Sequence, residues 1–271
     1  MRRWARFLTP TAGHRRLGLV CLGVGHQRGA IPPCPPRVLG CYGAVLVTEG
    51  RGRLGWGRPA AAHDLSAPTL FWLAPGVPHT YAPAPPGWTE AWVLFEGRVA
   101  RAYEDLGYIS RGDPVVALAD PLPLRRAFRR LIETCQGEPP GVDVEAAALV
   151  HALILAARHA QGGSPDPDDD AIVAALRDDA CRPLTVTQHA RDLGVPPGRL
   201  RDIVRRAAGC TPKEYILRTR LNRAKTLLAG SDLTIAKIGR TVGYDDPAYF
   251  TRVFVRRAGI SPRTFREQQR R

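Results

Sequence analysis

Several features that would point to particular chemistries are missing from this sequence. Nothing in its 271 residues resembles a membrane-spanning run of roughly twenty apolar residues, and the chain is long enough for two domains with separate cores. The six cysteines, Cys21, Cys34, Cys41, Cys135, Cys181 and Cys210, never fall at C-x-x-C spacing and have no histidine at a zinc-finger interval. They read as buried or incidental thiols of a reducing compartment. There is no nucleophile elbow and no phosphate-binding loop. The opening stretch MRRWARFLTPTAGHRRLGLVCLGVG has a basic lead and a short apolar run, but no leader cleavage site follows. Leu17, Leu19, Cys21 and Gly23 against Gly18, Val20 and Leu22 suit a buried strand instead. Lysine is almost absent, with three among 39 basic residues.

What the chain does have is arginine, unevenly placed. The formal net charge is +14, and from Arg199 to Arg271 there are 18 Lys or Arg against 6 Asp or Glu. A coding bias accounts for arginine over lysine but not for the clustering, which suits a surface that displaces phosphate counterions.

The same region repeats itself. TVTQHARDLGVPPGRLRDIVRRAAGCTPKEY, Thr185 to Tyr215, returns forty-nine or fifty residues later as TIAKIGRTVGYDDPAYFTRVFVRRAGISPRTF, Thr234 to Phe265, with one residue inserted. Gly194 matches Gly243, Leu200 matches Phe250, Val204 matches Phe254, Gly209 matches Gly259, Pro212 matches Pro262 and Tyr215 matches Phe265. Each copy reads as a short helix, a glycine turn and a second helix. In the later copy Ile235 and Ile238 supply an apolar face, Gly243 ends the first helix, and Asp246 with Pro247 supplies the N-cap and first position of the next. Phe250, Val253 and Phe254 face inward, which leaves Ala248, Thr251, Arg252, Val255 and Arg256 outward. In the earlier copy the outward positions are Gly198, Arg201, Asp202 and Arg205.

A basic outward face on the second helix of such a pair is the helix-turn-helix arrangement for the DNA major groove. A helix predicted from about Pro212 to Ala229 joins the copies, roughly 25 Å long at 1.5 Å per residue, and suits two readers near the ~34 Å repeat of successive major grooves. Paired short helices also occur in bundles that read nothing; the second copy turns the reading toward DNA.

On these residues the stretch from Thr185 to Arg271 resembles the DNA-binding domain of the AraC/XylS family of transcription regulators. The match lies at Ile235, Ile238, Gly243, Tyr244, Tyr249, Phe250, Phe254, Gly259, Pro262 and Arg266. Gly239 departs from the family's usual Ala, and Pro196 from its usual Ser cap. The resemblance implies a regulator whose partners are double-stranded DNA, a small-molecule effector for which a sugar is one candidate, a second copy of the chain and, for an activator, RNA polymerase.

From about Arg37 to Phe95 the text changes to short apolar runs broken by Gly and Pro, which read as strands and turns of a small barrel or sandwich. LAPGVPHTY followed by WVLF resembles the cupin-like sensor of the family's arabinose-regulator branch. His79 and Tyr81 alternate on one strand face, Glu90 and Trp92 on another, a lining that suits sugars and other polar small molecules. By the resemblance, Arg37, His79, Tyr81 and Trp92 fall near pocket positions of that branch, whereas Glu90 replaces a His, which counts against arabinose itself. Tyr81 and Trp92 can equally be filling the barrel. Thr80 and Tyr81 follow His79, so the His-x-His of metal-dependent cupins fails, and no metal, cofactor or catalysis is expected.

Two helical patterns follow, Leu122 to Cys135 and Val144 to His159, each with an apolar stripe; in the family such a pair often forms a dimer, and otherwise packs on its own barrel. The expected fold class is therefore α+β multidomain. Residues 1–161 form a cupin-like β-barrel with a helical pair for sensing and dimerisation, residues 162–170 a linker, and residues 171–271 an all-α double helix-turn-helix domain. The protein is expected in the cytoplasm, with no membrane partner. Two rival readings remain: a barrel that serves only as a dimer or partner platform, and a metal-dependent cupin enzyme with a DNA-binding tail.

Overall fold

The computed structural model describes residues 2–30, 34–160 and 167–269, and the chain divides into two compact units, Met1–Ser164 and Pro165–Arg271. The first unit contains β1 (Arg2–Phe7), α1 (Ala12–Arg15), β2 (Val20–Gly29), β3 (Cys34–Val38), β4 (Tyr42–Trp56), β5 (Ala61–Ser66), β6 (Thr69–Leu73), β7 (Pro78–Glu96), α2 (Arg98–Asp105), β8 (Val115–Ala117), α3 (Leu122–Gly137) and α4 (Val142–Ala160).

Its strands form one antiparallel sheet of eight, in the order β1-β2-β7-β4-β6-β8, with β3 on β7 and β5 on β4. The sequence pattern suggests short strands, yet β4 and β7 run for 15 and 19 residues. The glycines read as turns are crossing points within strands. A Cβ on Gly52 would stand 2.3 Å from the Ala82 carbonyl oxygen, so only glycine lets β4 and β7 approach this closely. Register shifts at Val47/Glu49 and Gly50/Gly52 bend the pair and let each strand change partners along its length.

Alternation along these strands separates two cores. One face of the sheet carries Leu19, Val24, Leu46, Val93 and Phe95 against the helical pair, through Phe128, Leu131, Val150 and Ile154. The other face encloses Val45, Leu54, Trp56, Phe71 and Trp88. The apolar stripes of α3 and α4 are thus occupied by the chain's own sheet. Leu122, Val144 and Leu155 are left exposed on the pair.

The second unit is helical: α5 (Pro167–Asp179), α6 (Val186–Asp192), α7 (Pro197–Ala208), α8 (Pro212–Gly230), α9 (Ile235–Thr241), α10 (Pro247–Ala258) and α11 (Pro262–Gln269). Of the expected linker at 162–170, residues 162–166 lie outside the described residues, and the rest is helix. Asp168, Asp169 and Asp170 form the first turn of α5, where carboxylates meet the positive end of the helix. The helix joining the two repeats runs 19 residues, about 28 Å. It gives Ile216 to the core of the first repeat, with Leu176, Ala190, Leu200 and Val204, and Leu221, Ala224 and Leu228 to that of the second, with Ile238, Phe250 and Phe254. No helix among the described residues is long and apolar enough to cross a membrane.

Candidate nucleic-acid interface and sensor interior

Each helix-turn-helix is assembled by local chemistry at matching positions. Thr185 and Thr234 cap α6 and α9 by accepting from the backbone N–H three residues on. Gly194 (φ 69°) and Gly243 (φ 88°) make the turns, and Gly209 and Gly259 end α7 and α10 in the left-handed region. At the start of the second helix the copies differ. Asp246 accepts from the Ala248 N–H at 2.8 Å, whereas Pro196 has no side-chain cap to offer.

On α7 the structure buries Leu200, Ile203 and Val204 and leaves Gly198, Arg201, Asp202 and Arg205 exposed, as the spacing predicts. Arg199 and Arg206 turn instead to buried Asp169, at 3.3 and 2.6 Å, and brace α7 against α5. On α10, Ala248, Arg252 and Arg256 are exposed. Thr251 is half-buried instead of exposed, and its hydroxyl donates to the Pro247 carbonyl at 2.9 Å, a bond back into its own helix. Arg252 lies 3.7 Å from the Asp246 carboxylate and 5.9 Å from the Tyr249 ring centroid, while remaining well exposed. Arg257 forms a bidentate pair with Glu214 of α8. The arginines of each reading helix therefore divide into structural braces and an exposed outward stripe.

In the first unit, three of the five expected pocket residues meet directly. Arg37 Nε donates to His79 Nε2 and Nη2 to the Tyr81 hydroxyl, both at 3.3 Å. The His79 Nδ1–H in turn donates to the Val77 carbonyl at 3.0 Å, which assigns the tautomer. Burial, and after it Arg37, hold the His79 pKa below its usual value, so the ring stays neutral. Glu90 and Trp92 lie farther along β7 on one face with Trp88, and Tyr81 stacks on Trp88 at 6.1 Å.

Glu90 is 1% exposed. Its Oε1 accepts from Gln27 at 2.5 Å; Oε2 completes no hydrogen bond among the described residues, nor does the indole N–H of Trp88, although Trp88 is close enough to lower the carboxyl pKa. Burial outweighs these contacts and pushes Glu90 up to about 7. Trp92 lies over Gly25, beside Phe7 at 5.7 Å. None of the five residues lines the cavities of about 430 and 300 Å³ that open elsewhere on this unit. Sequence reasoning missed Trp88 and Gln27. Trp88 was signalled by its place two residues before Glu90; Gln27 sits on another strand, and only the β2–β7 register brings it there. No group of three or more His, Cys, Asp or Glu able to hold a metal occurs among the described residues.

Residues 189–268 match the family model of a helix-turn-helix domain, and residues 32–154 that of an AraC-like ligand binding domain. The chain is 28% identical over 151 residues to the HTH-type transcriptional activator RhaR of Cronobacter sakazakii, across 52% of this chain and 53% of that protein. It is 27% identical to the MmsAB operon regulatory protein of Pseudomonas aeruginosa, across 83% and 75%. It is 30% identical to the arabinose operon regulatory protein of Salmonella typhimurium, across 51% of each. The matched segment thus spans about half the length of the first and third relatives.

Proposed function

Since the chain belongs to the AraC family of transcription regulators, with a ligand-binding and a helix-turn-helix domain, we propose that it binds operator DNA through α7 and α10 and that a small polar effector, of the sugar class, controls this binding. The observation that carries the DNA half is the division of arginines: Arg201, Arg205, Arg252 and Arg256 stand exposed on the outward stripes, while Arg199, Arg206 and Arg257 are paired with Asp169 and Glu214 on the other sides. Exposed guanidinium groups on a helix of this kind reach guanine edges and phosphates.

The effector half rests on Arg37, His79, Tyr81, Glu90 and Trp92, which combine aromatic faces with polar atoms on β3 and β7 of one sheet, Arg37 at its exposed edge. The relatives named for arabinose and for an operon regulator suggest the sugar class and the role in transcription. The proposal extends to a homodimer in the cytoplasm, to contact with RNA polymerase where the protein activates, and to a chain that carries out no catalysis.

One observation favours a second reading, in which the barrel is a platform that binds nothing. Trp56, Phe71 and Trp88 are 6%, 0% and 2% exposed, so its interior is substantially filled. Thermal unfolding of the full chain against a panel of sugars separates the two. A sugar at 100 times its Kd should add about 2.7 kcal/mol of stability, and Trp92→Ala should abolish that gain and the accompanying change in operator affinity while leaving binding without effector intact. Operator binding that no small molecule alters would leave the platform reading standing.

A further inference from the structure

The turn of the second helix-turn-helix is seated on the segment that leads into the first. A Cβ on Gly243 would stand 2.5 Å from the Cys181 carbonyl oxygen, whereas one on the matching Gly194 would meet nothing described within 4 Å. Arg220, from the middle of α8, closes this contact. Its Nε donates to the Ala180 carbonyl at 2.6 Å, Nη2 to the Arg182 carbonyl at 2.6 Å and Nη1 to the Gly243 carbonyl at 3.1 Å. Its guanidinium lies 5.4 Å from the Tyr244 ring centroid. Ala180 and Arg182 belong to the segment that leads α5 into α6, and Gly243 to the turn between α9 and α10. One half-buried side chain therefore bonds both the backbone that leads into the first repeat and the turn of the second.

These three acceptors are neutral carbonyls, so the bonds depend on direction as well as charge, and a planar fork meets all three where a single ammonium would not. Each repeat otherwise has its own small core, and α8 is the element common to both. We propose that Arg220 is a positioning residue that fixes α10 relative to α7, and through them the number of base pairs between the two DNA elements the protein reads. One base pair moves the second target by about 3.4 Å and about a tenth of a turn, more than a base-edge hydrogen bond tolerates. Arg220 needs no contact with DNA for this. The inference rests on α7 and α10 being the reading helices.

The test is selection by the full-length protein from a DNA library with two variable elements and a variable spacer. Wild type, Arg220→Ala and Arg220→Lys are compared, with circular dichroism to establish folding. Wild type should enrich one spacer. Folded Arg220→Ala should recover the same two elements but accept spacers one base pair longer or shorter, with discrimination reduced about tenfold or more; Arg220→Lys should shift in the same direction. An unchanged spacer preference in a folded variant overturns the proposal. So does a uniform loss of affinity with a shallower salt dependence, the mark of a phosphate contact. If Arg220→Ala does not fold, Arg220→Lys and Gly243→Ala give the same reading by the same criterion. A wild type that enriches no sequence is a different failure, that of the DNA reading beneath it.

Discussion

Where the first helix-turn-helix buries His189, the second buries Ile238; where the first sets Leu200 with Ala190, the second sets Phe250 with Gly239. A Cβ on Gly239 would meet the Phe250 ring at 3.2 Å, so the smaller residue on α9 makes room for the larger one on α10. The aromatic core continues through Phe254 and Phe265, each pair of ring centroids 5.8 Å apart. The first helix-turn-helix has no such stack among the described residues. It holds α7 by charge, through Asp169, and it leaves the buried Nε2 of His189 without a partner. Both copies nevertheless share their threonine caps, positive-φ glycines and proline starts. The backbone plan survives because those local devices are kept, and the interior is free to change so long as each pair of residues fills its space. The second helix-turn-helix should therefore be the firmer scaffold and the first the more easily perturbed.

The largest effect separating the two should come from emptying their cores. Phe250→Ala should lower unfolding stability by about 3 to 5 kcal/mol and Leu200→Ala by about 2 to 5 kcal/mol, with Phe250 the costlier when both are measured by urea denaturation. Equal losses would mean that the aromatic stack adds nothing.

Next come the outward stripes, where Arg252 occupies the position that Asp202 holds in the first repeat. Arg252→Ala should cost about 1 to 3 kcal/mol on the specific site and relax one base pair. Asp202→Ala should broaden sequence preference while leaving or raising affinity, because a carboxylate near phosphates contributes only by rejecting bases that cannot donate to it. Binding to specific and random DNA measures both, and an equal loss on both for Arg252→Ala would make it a phosphate contact.

The caps should matter less. Asp246→Ala should cost about 1 kcal/mol, and Pro196→Ser should bring the first unit nearer the second by about 0.5 to 1 kcal/mol. A serine that stabilises nothing would indicate that the stiffness of Pro196, with φ at −61°, already offsets its missing cap.

At neutral pH the smallest difference is that of the buried imidazole. Burial, and after it Arg220, hold the His189 pKa below its usual 6.5. Its contribution to stability is therefore present above pH 6.5 and is lost as the pH falls through the lowered folded value. Acidification should weaken wild type more than His189→Leu, as thermal melts between neutral and mildly acidic pH would show. Parallel profiles for the two proteins would remove His189 as the acid-sensitive point.

Much of the helical unit was legible in the residues themselves. Gly194, Gly243, Gly209, Gly259, Pro197 and Pro247 each answer a backbone requirement within a few positions in the chain, and the inward residues follow a period of 3.6. The strands were harder. Gly50 and Gly52 carry the same letters as turn glycines, and only the pairing of β4 with β7 makes them crossing points. That Thr251 is half-buried was not legible, because a hydroxyl four residues after Pro247 has a local acceptor that helical periodicity does not record.

By itself the sequence determined the duplicated helix-turn-helix, its caps and turns, the outward stripes and the family, since all depend on neighbours in the chain or on repeated spacing. The tertiary structure alone decided which arginines brace α7 against α5, because Asp169 lies 30 and 37 residues from Arg199 and Arg206. It likewise decided that Glu90 meets Gln27, and that Arg220 spans carbonyls 40, 38 and 23 residues away. The physical reason is range: a cap or a left-handed turn is satisfied within one helical turn, whereas a buried charge or a guanidinium fork takes whatever partners the packed chain brings within about 3 Å.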